Sequence, residues 1–375
     1  MPDVKKRVKR IFELMDHDEK LKTKPSSFIL ANGVEPHADS SFFYVTGFPY
    51  GLFEGSYFIG RRDGTTSLIT TPLEEPIARA HAQKDLQIYV EGKSEGFDSR
   101  IKNIVGSGAV TIGVNSPELS FRAYLHLKSV LKNCEFEDVS DAFDSARLIK
   151  DSDEIANIQK ACDIASKVHK KIPSMLRVGV TESTVAAGMA YEMQSLGGSG
   201  VSFDSIVGFG KNTALPHYSA GNAMLKKGQF VLCDYGTRYQ RYCSDITRTL
   251  VFDRASAKHR RMYEVVRTAL QMGTDLCTPE YTGSEVHNKV ARYIDSTEFK
   301  GKFIHGTGHS LGLNVHDGIG LSSRNKKNLQ PGMVVTVEPG IYLKSFGGVR
   351  IEDDVLITKG KARVLTSASR EFIEV

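Results

Sequence analysis

Two stretches in the carboxy-terminal half constrain the fold more than any other feature. "FVLCDYGTRYQRYCSDITRTLVF" (230–252) and "VVTVEPGIYLKSFGGVRIEDDVLIT" (334–358) both alternate apolar and β-branched residues like buried strands, yet carry Asp234, Asp245, Glu338 and Glu352 inside them. A lone buried carboxylate bears a large desolvation cost, so the chain must bring these acids to counter-charges. Each stretch reads as an antiparallel hairpin. In the first, a tight turn centred on Tyr239 and Gln240 would set Asp234 directly across from Asp245, with Cβ atoms about 4.5–5.5 Å apart; Tyr-Gln is not favoured turn chemistry, so a longer loop or a bulge is the alternative and would shift that register. In the second, Glu338 and Glu352 flank a loop containing Gly347 and Gly348. Salt bridges to Arg238, Arg248 or Arg350 account for one such pair. Two pairs with an imidazole suit two divalent cations ~3.5–4 Å apart sharing carboxylate bridges.

The imidazoles come from "HGTGHSLGLNVHD" (305–317). His305 and His309 have the spacing that places two rings on one helical face, but Gly306 and Gly308 between them disfavour a helix. The stretch is either a glycine-rich surface loop or a backbone that must approach whatever the imidazoles touch. It is not a phosphate loop, and neither is "GFGKN", because neither runs on into GK[ST].

The acids also belong to an internal repeat. "LKKGQFVLCDYG" (225–236) aligns with "LQPGMVVTVEPG" (329–340), and "TESTV" (181–185) with "TGSEV" (282–286), at nearly equal offsets. Two similar halves, each offering an acid at the end of a buried strand, would hold a site between them. Ahead of the repeat, Ser152 is placed to cap a long helix in which Ile155, Ile158, Cys162, Ile164 and Val168 recur at helical spacing. The domain boundary is set near Phe143, giving domains 1–143 and 144–375. In the first, "SSFFYVTGF" reads as a strand, "GSYFIGRRDGTTSLITT" as a hairpin turning at "RRDG", and "TIGVNSPELSFRAYLHLKSVL" as a strand and a helix capped near Ser116 or Ser120. The fold class is α/β (α+β).

Composition excludes several classes. No apolar run in the 375 residues approaches the ~18 of a membrane span. The amino terminus, "MPDVKKRVKRIFELMDHDEK", has no apolar signal core and reads as an amphipathic helix burying Val4, Val8, Ile11 and Phe12. Net charge is +5, and the Lys5–Arg10 basic cluster reads as a solvated helix face, not a nucleic-acid contact. Five scattered cysteines without a CxxC pair fit reduced thiols in a cytoplasmic protein.

With these residues in view, the chain resembles the pita-bread metallopeptidases: prolidase, aminopeptidase P and methionine aminopeptidase. The segments "CDYG", "SDITRT", "GTGHSLG", "TVEPGIY" and "GVRIEDD" match the family's ordered Asp, Asp, His, Glu, Glu ligands. "SSFFYVTGF" resembles the amino-terminal domain of prolidases and aminopeptidases P, which methionine aminopeptidases usually lack. Creatinase shares the fold but not these ligands. The resemblance implies an amino-terminal creatinase-like mixed α/β domain and a carboxy-terminal pseudo-two-fold pita-bread domain. It implies Asp234, Asp245, His309, Glu338 and Glu352 as ligands of two divalent ions per chain, Mn or Co first, with Zn or Fe as other acceptable metals. Asp245 and Glu352 bridge, Asp234 serves one ion, and His309 and Glu338 serve the other. His217 ("ALPHYS") and His316 ("NVHD") match the outer histidines around the reacting carbonyl, while His305 and Thr247 stand beside the ligands.

The implied reaction is hydrolysis of an Xaa-Pro bond by a metal-bridging hydroxide, with Glu338 moving the proton and His217 and His316 supporting the oxyanion or the leaving proline. Tyr218 and Phe209 are expected against the proline ring. Arg350 and Arg324 are expected on the substrate; an arginine before "LQPGM" resembles the one with which prolidases contact the free carboxylate of a dipeptide. Arg324 therefore favours Xaa-Pro dipeptidase over aminopeptidase P acting on longer peptides. A non-catalytic binding protein on the same fold is the remote alternative. A cytoplasmic homodimer, with no nucleic-acid or membrane partner, completes the expectation.

Overall fold

The computed structural model describes residues 3–34, 37–92, 95–106 and 108–375. Its two compact units are Met1–Arg147 and Leu148–Val375. Phe143 lies inside the helix Ser140–Leu148, so the chain passes from one unit to the next at the end of that helix.

The first unit is built on a mixed sheet of β1 (Ser27–Ala31), β2 (Tyr57–Arg61), β3 (Thr66–Thr70), β4 (Leu86–Val90), β5 (Thr111–Val114) and β6 (Glu135–Asp138), in the order β4-β3-β2-β1-β5-β6. The expected hairpin is β2–β3, paired Tyr57↔Ile69 to Gly60↔Thr66, and Gly64 supplies the positive φ its turn requires. Ile29, Ile59, Ile69, Ile112, Ile101 and Leu127 form a core beneath it. Ser120, not Ser116, caps the helix Phe121–Val130. The helix Val4–His17 buries Val4, Val8, Ile11 and Phe12 as the pattern requires.

"SSFFYVTGF" is not a strand. Ser40–Thr46 is a helix, opened by the Asp39 carboxylate accepting the Ser41 N–H and closed by Gly47 in the left-handed conformation. Residues 41–46 are all buried, so the run shows no helical stripe, and a short apolar run of this kind does not distinguish helix from strand by periodicity. The signals that decide it are the Asp and Gly caps.

The second unit opens with the helix Ser152–His169. Its cap is Asp151, one residue before the expected Ser152, in a reciprocal box with Glu154. Two further helices, Glu182–Ser195 and Gly283–Asp295, are capped by Thr181 and Thr282, the leading threonines of the repeated segments. Each is followed by strands bearing acids. One sheet joins β7 (Ile206–Phe209), β8 (Gln229–Tyr235) and β11 (Ile246–Phe252) in the order β11-β8-β7, and the short strands β9 (Arg238–Tyr239) and β10 (Tyr242–Cys243) extend its hairpin. The other half contains β12 (Val334–Val337), β13 (Gly340–Leu343), β14 (Gly347–Arg350), β15 (Asp353–Leu356) and β16 (Arg363–Val364), ordered β12-β15-β16 with β13 paired to β14.

The first acidic hairpin differs in register from the expectation. β8 pairs with β11 as Thr247↔Asp234, and β9 with β10 as Tyr242↔Tyr239, so the turn is centred on Gln240 and Arg241, both at positive φ. Asp234 therefore faces Thr247 rather than Asp245. The slip is two residues, and side chains alternate with period two, so both aspartates still look to the same face. In the second half one register runs through Val337↔Asp353 and Gly340↔Arg350, which sets Glu338 across from Glu352.

Candidate metal centre

Asp234 is the penultimate residue of β8, Asp245 immediately precedes β11, and Glu338 and Glu352 sit at the breaks between β12 and β13 and between β14 and β15. His309 arrives on a segment that lies along β12: its N–H donates to Thr336 Oγ1 (3.1 Å) and its carbonyl accepts the Thr336 N–H (2.8 Å). The stretch 305–309 is not helical, so the two-imidazole helical face does not exist. Gly308 is needed because a Cβ there would stand 1.8 Å from the Thr336 carbonyl oxygen. The glycine serves contact with the strand backbone that positions His309.

Asp245, His309 and Glu352 offer ligand atoms all within 4.8 Å of one another. His309 Nε2 lies 3.5 Å from Asp245 Oδ2 and 3.8 Å from Glu338 Oε1. His309 Nδ1 faces the Ser310 carbonyl at 3.3 Å, which places its proton there and leaves the Nε2 lone pair toward the acids. Asp234 Oδ2 accepts from Arg350 Nη2 at 2.5 Å, and Glu352 Oε2 accepts from the Thr247 hydroxyl at 2.6 Å. His305 stands beside the cluster, with Nδ1 3.9 Å from Glu338 Oε2 and Nε2 bonded to the Tyr342 hydroxyl at 2.8 Å.

The acids crowd one another. Burial first, then the neighbouring carboxylates, push Asp245 and Glu352 well above ordinary carboxylate values. Burial raises Glu338 to about 8, against the opposing charge of Arg350 and with Asp234 adding to the rise. Burial takes His309 down to about 3, with His316 adding to the shift, and His305 down to about 4, with Arg350 adding. A neutral imidazole among buried carboxylates that repel one another is a donor set whose crowding a divalent cation would relieve. Asp234 Oδ1 and Asp245 Oδ1 are buried without a hydrogen-bond partner among the described residues, an arrangement that calls for a ligand. The mixed oxygen and nitrogen donors fit Mn, Co, Zn or Fe.

These groups line a cleft of about 640 Å³ in the second unit, together with His217, His316, Arg238, Phe203, Ile206, Pro216 and Val315. His217 and His316 are both solvent-accessible, and the His316 ring meets His309 edge-on at 4.2 Å between centroids. Asp317 holds the loop that carries His316: its N–H donates to the Ser310 carbonyl (2.9 Å), and its carboxylate accepts the Leu313 N–H (3.2 Å).

Several expected residues fall elsewhere. Phe209 does not line the cleft and is 3% exposed within the hydrophobic core. Tyr218 donates to Glu182 Oε2 (2.8 Å), and the apolar lining comes instead from Phe203, Ile206, Pro216 and Val315. Arg324 is exposed and outside the lining. Its loop is tied to the helix Gly283–Asp295 through Ser284 N–H to the Asn325 carbonyl (2.7 Å) and Lys326 Nζ to Ser284 Oγ (2.9 Å). Arg350 lines the cleft, but its guanidinium is engaged by Asp234, Thr247 and Tyr342. The sequence reading missed Tyr342, which joins His305 to Arg350, and Asp354, whose Oδ2 accepts the Asp245 N–H (2.9 Å). The three-acid run "EDD" was a signal for Asp354; its middle member, Asp353, is a structural partner of Arg248 (2.7 Å) and Arg370 (2.6 Å).

An α/β domain that gathers carboxylates and a neutral imidazole at the floor of an open cleft has the construction of a metal-dependent hydrolase. Residues 156–359 match the model of metallopeptidase family M24, and residues 23–149 match the creatinase/prolidase amino-terminal domain. The chain belongs to metallopeptidase family M24. An Xaa-Pro dipeptidase of Pyrococcus furiosus is 31% identical over 373 residues, covering 99% of this chain and all of the relative. The solved structure of an Xaa-Pro dipeptidase from Bacillus anthracis superposes with a TM-score of 0.90 at 30% identity, each chain covered completely. An X-Pro aminopeptidase from Thermotoga maritima gives 0.87 at 29% identity, covering 94% of this chain and 98% of that one.

Proposed function

We propose that this protein hydrolyses the bond between a first residue and proline in short peptides, as an Xaa-Pro dipeptidase, with two divalent ions per chain held by Asp234, Asp245, His309, Glu338 and Glu352. The observation that carries the reading is the convergence of these five side chains at the floor of one cleft, two of them with buried, unpartnered carboxylate oxygens. Bound divalent ions, Mn or Co by this reading, would supply an acidified water and an electrophile for the carbonyl.

The chain's own residues do the rest. Glu338, beside His309 at the floor of the cleft, is suited to take a proton from the attacking water and return it to the leaving nitrogen. His217 and His316, at the accessible edge of the cleft, are placed to hydrogen-bond the oxyanion as the carbonyl becomes tetrahedral. Proline has no amide hydrogen, so the substrate must be gripped through its carbonyl and ring. Phe203, Ile206, Pro216 and Val315 give the ring an apolar wall.

By the same reading the protein is a cytoplasmic homodimer without nucleic-acid or membrane partners. Among the described residues no helix is long and apolar enough to cross a membrane. In the basic amino-terminal helix Lys5 pairs with Asp85 and Arg7 is buried. The direct test compares Ala-Pro, Ala-Pro-Ala and Ala-Ala before and after chelation. Ala-Pro should be cleaved fastest and chelation should abolish it. Faster cleavage of Ala-Pro-Ala makes the enzyme an Xaa-Pro aminopeptidase, and no cleavage of either proline peptide rejects the proposal.

A further inference from the structure

His217 is exposed at the edge of the cleft and makes no hydrogen bond of its own among the described residues. Its place is therefore set by the chain on either side. Among the described residues, the hydrogen bonds of residues 215–220 reach only Asn212 and Glu182. The Leu215 N–H donates to the Asn212 carbonyl (3.1 Å), Asn212 Nδ2 to the Tyr218 hydroxyl (2.9 Å), and that hydroxyl to Glu182 Oε2 (2.8 Å).

Glu182 is fully buried and does not line the cleft. Its two carboxylate oxygens divide the segment between them. Ahead of His217, Oε1 accepts the Phe209 N–H (2.8 Å) and Asn212 Nδ2 (2.9 Å). Behind it, Oε2 accepts the Tyr218 hydroxyl and the Gly221 N–H (3.2 Å). Four donors fill about the four acceptor positions that a carboxylate offers. Glu182 also opens the helix Glu182–Ser195, where the peptide dipoles favour a negative charge. Its own N–H and that of Ser183 donate to the Ala223 and Gly221 carbonyls (3.2 and 3.0 Å), which ties the trailing end of the segment to that helix. The other half of the repeat has no such group: with "TESTV" aligned on "TGSEV", Gly283 stands where Glu182 does.

We infer that Glu182 fixes the position of His217 by clasping both ends of the segment 209–221, and that it acts on the reaction through His217 alone. The inference rests on the peptidase reading above for its effect on rate. Glu182 is a positioning residue.

The test is a double-mutant cycle of wild type, Glu182→Gln, His217→Ala and the pair, metal-loaded, on whichever of Ala-Pro and Ala-Pro-Ala the wild type cleaves faster. The Gln amide puts a donor where one acceptor oxygen stood, so one end of the clasp must open. In Glu182→Gln kcat should fall about 10–100-fold, within the roughly 10²–10³-fold of losing His217 itself, with KM and metal occupancy unchanged. In the His217→Ala background the same substitution should lower kcat less than about two-fold. Equal losses in both backgrounds, or an unchanged kcat in Glu182→Gln, overturn the inference, since a general loss of stability would lower both backgrounds alike. Should Glu182→Gln fail to fold, Tyr218→Phe repeats the cycle by removing one donor. Its loss should be about 2–10-fold in kcat and absent without His217, and the same loss in both backgrounds overturns the inference. If the wild type cleaves neither peptide, the peptidase reading has failed, and the clasp is read from the imidazole by NMR of protein with isotopically labelled histidine. The His217 resonance, identified by its absence from His217→Ala, should shift or broaden in Glu182→Gln while that of buried His169 stays in place. An unmoved His217 resonance overturns the inference.

Discussion

Thr247→Val tests how the acids are held without touching any of them. Thr247 is fully buried on β11, opposite Asp234. Its hydroxyl donates to Glu352 Oε2 at 2.6 Å and accepts from Arg350 Nε at 3.2 Å. It is one of the groups that draws Glu352 toward ionisation against the burial that raises its pKa. Valine keeps the shape and the β-branch, so strand geometry should survive. What is lost are the hydrogen bonds to Glu352 and from Arg350, the one to the carboxylate about 1.5–3 kcal/mol, and with it the orientation of the Glu352 carboxylate. A partner that orients a metal ligand is typically worth 10–100-fold in affinity, or ~1.4–2.7 kcal/mol, the same range. Titration of Mn or Co into chelator-stripped protein, in competition with a chromophoric chelator, measures it. Thr247→Ser should bind as the wild type and Thr247→Val 10–100-fold more weakly. If Thr247→Val binds within about two-fold of the wild type, the hydroxyl does not orient a ligand and the assignment of Glu352 loses its support.

His217→Ala and His316→Ala should each keep full metal occupancy and lose roughly 10²–10³-fold in kcat, the cost of one oxyanion donor; loss of metal in either would make that histidine a ligand. His169 bears on acid stability. Burial first, then the Arg248 charge, hold its pKa down at about 4 against an ordinary 6.5. The unfolded chain then binds a proton that the folded chain does not, so stability falls as pH drops through this window and is fully present above it. His169's own share of that loss should be about 2 kcal/mol by pH 5. His169→Phe should reduce the change in urea midpoint between pH 7.5 and 5 by about that amount, and an unchanged pH slope in the variant would show that His169 does not contribute.

The elements the chain announced were those with local chemistry. The β2–β3 hairpin followed from "RRDG", the Ser120 cap from its place before an amphipathic run, and the buried face of the first helix from its spacing. Ser40–Thr46 was misread because burial on every side removes periodicity. The hairpin register was misplaced because Tyr-Gln was taken as the turn, whereas Gln240 and Arg241 adopt the positive φ. The error left the acids on one face because it was even. The grouping of Asp234, Asp245, Glu338 and Glu352 was legible because acids in apolar strands require partners; that His309 is the imidazole beside them came from the resemblance to the family. Tyr342 and the commitment of Arg350 were not legible: they depend on which acceptor each guanidinium donor reaches in the folded chain, Tyr342 lying 8 positions from Arg350 and Asp234 116 positions from it.

Metal stoichiometry on purified protein tests the central claim most directly. After loading and removal of excess ion, elemental analysis should find two divalent ions per chain in the wild type. Asp245→Ala should retain neither tightly, since Asp245 and Glu352 are assigned as the shared ligands, and His309→Ala should lose mainly one. Two tightly bound ions in Asp245→Ala, or none in the wild type, would contradict the account.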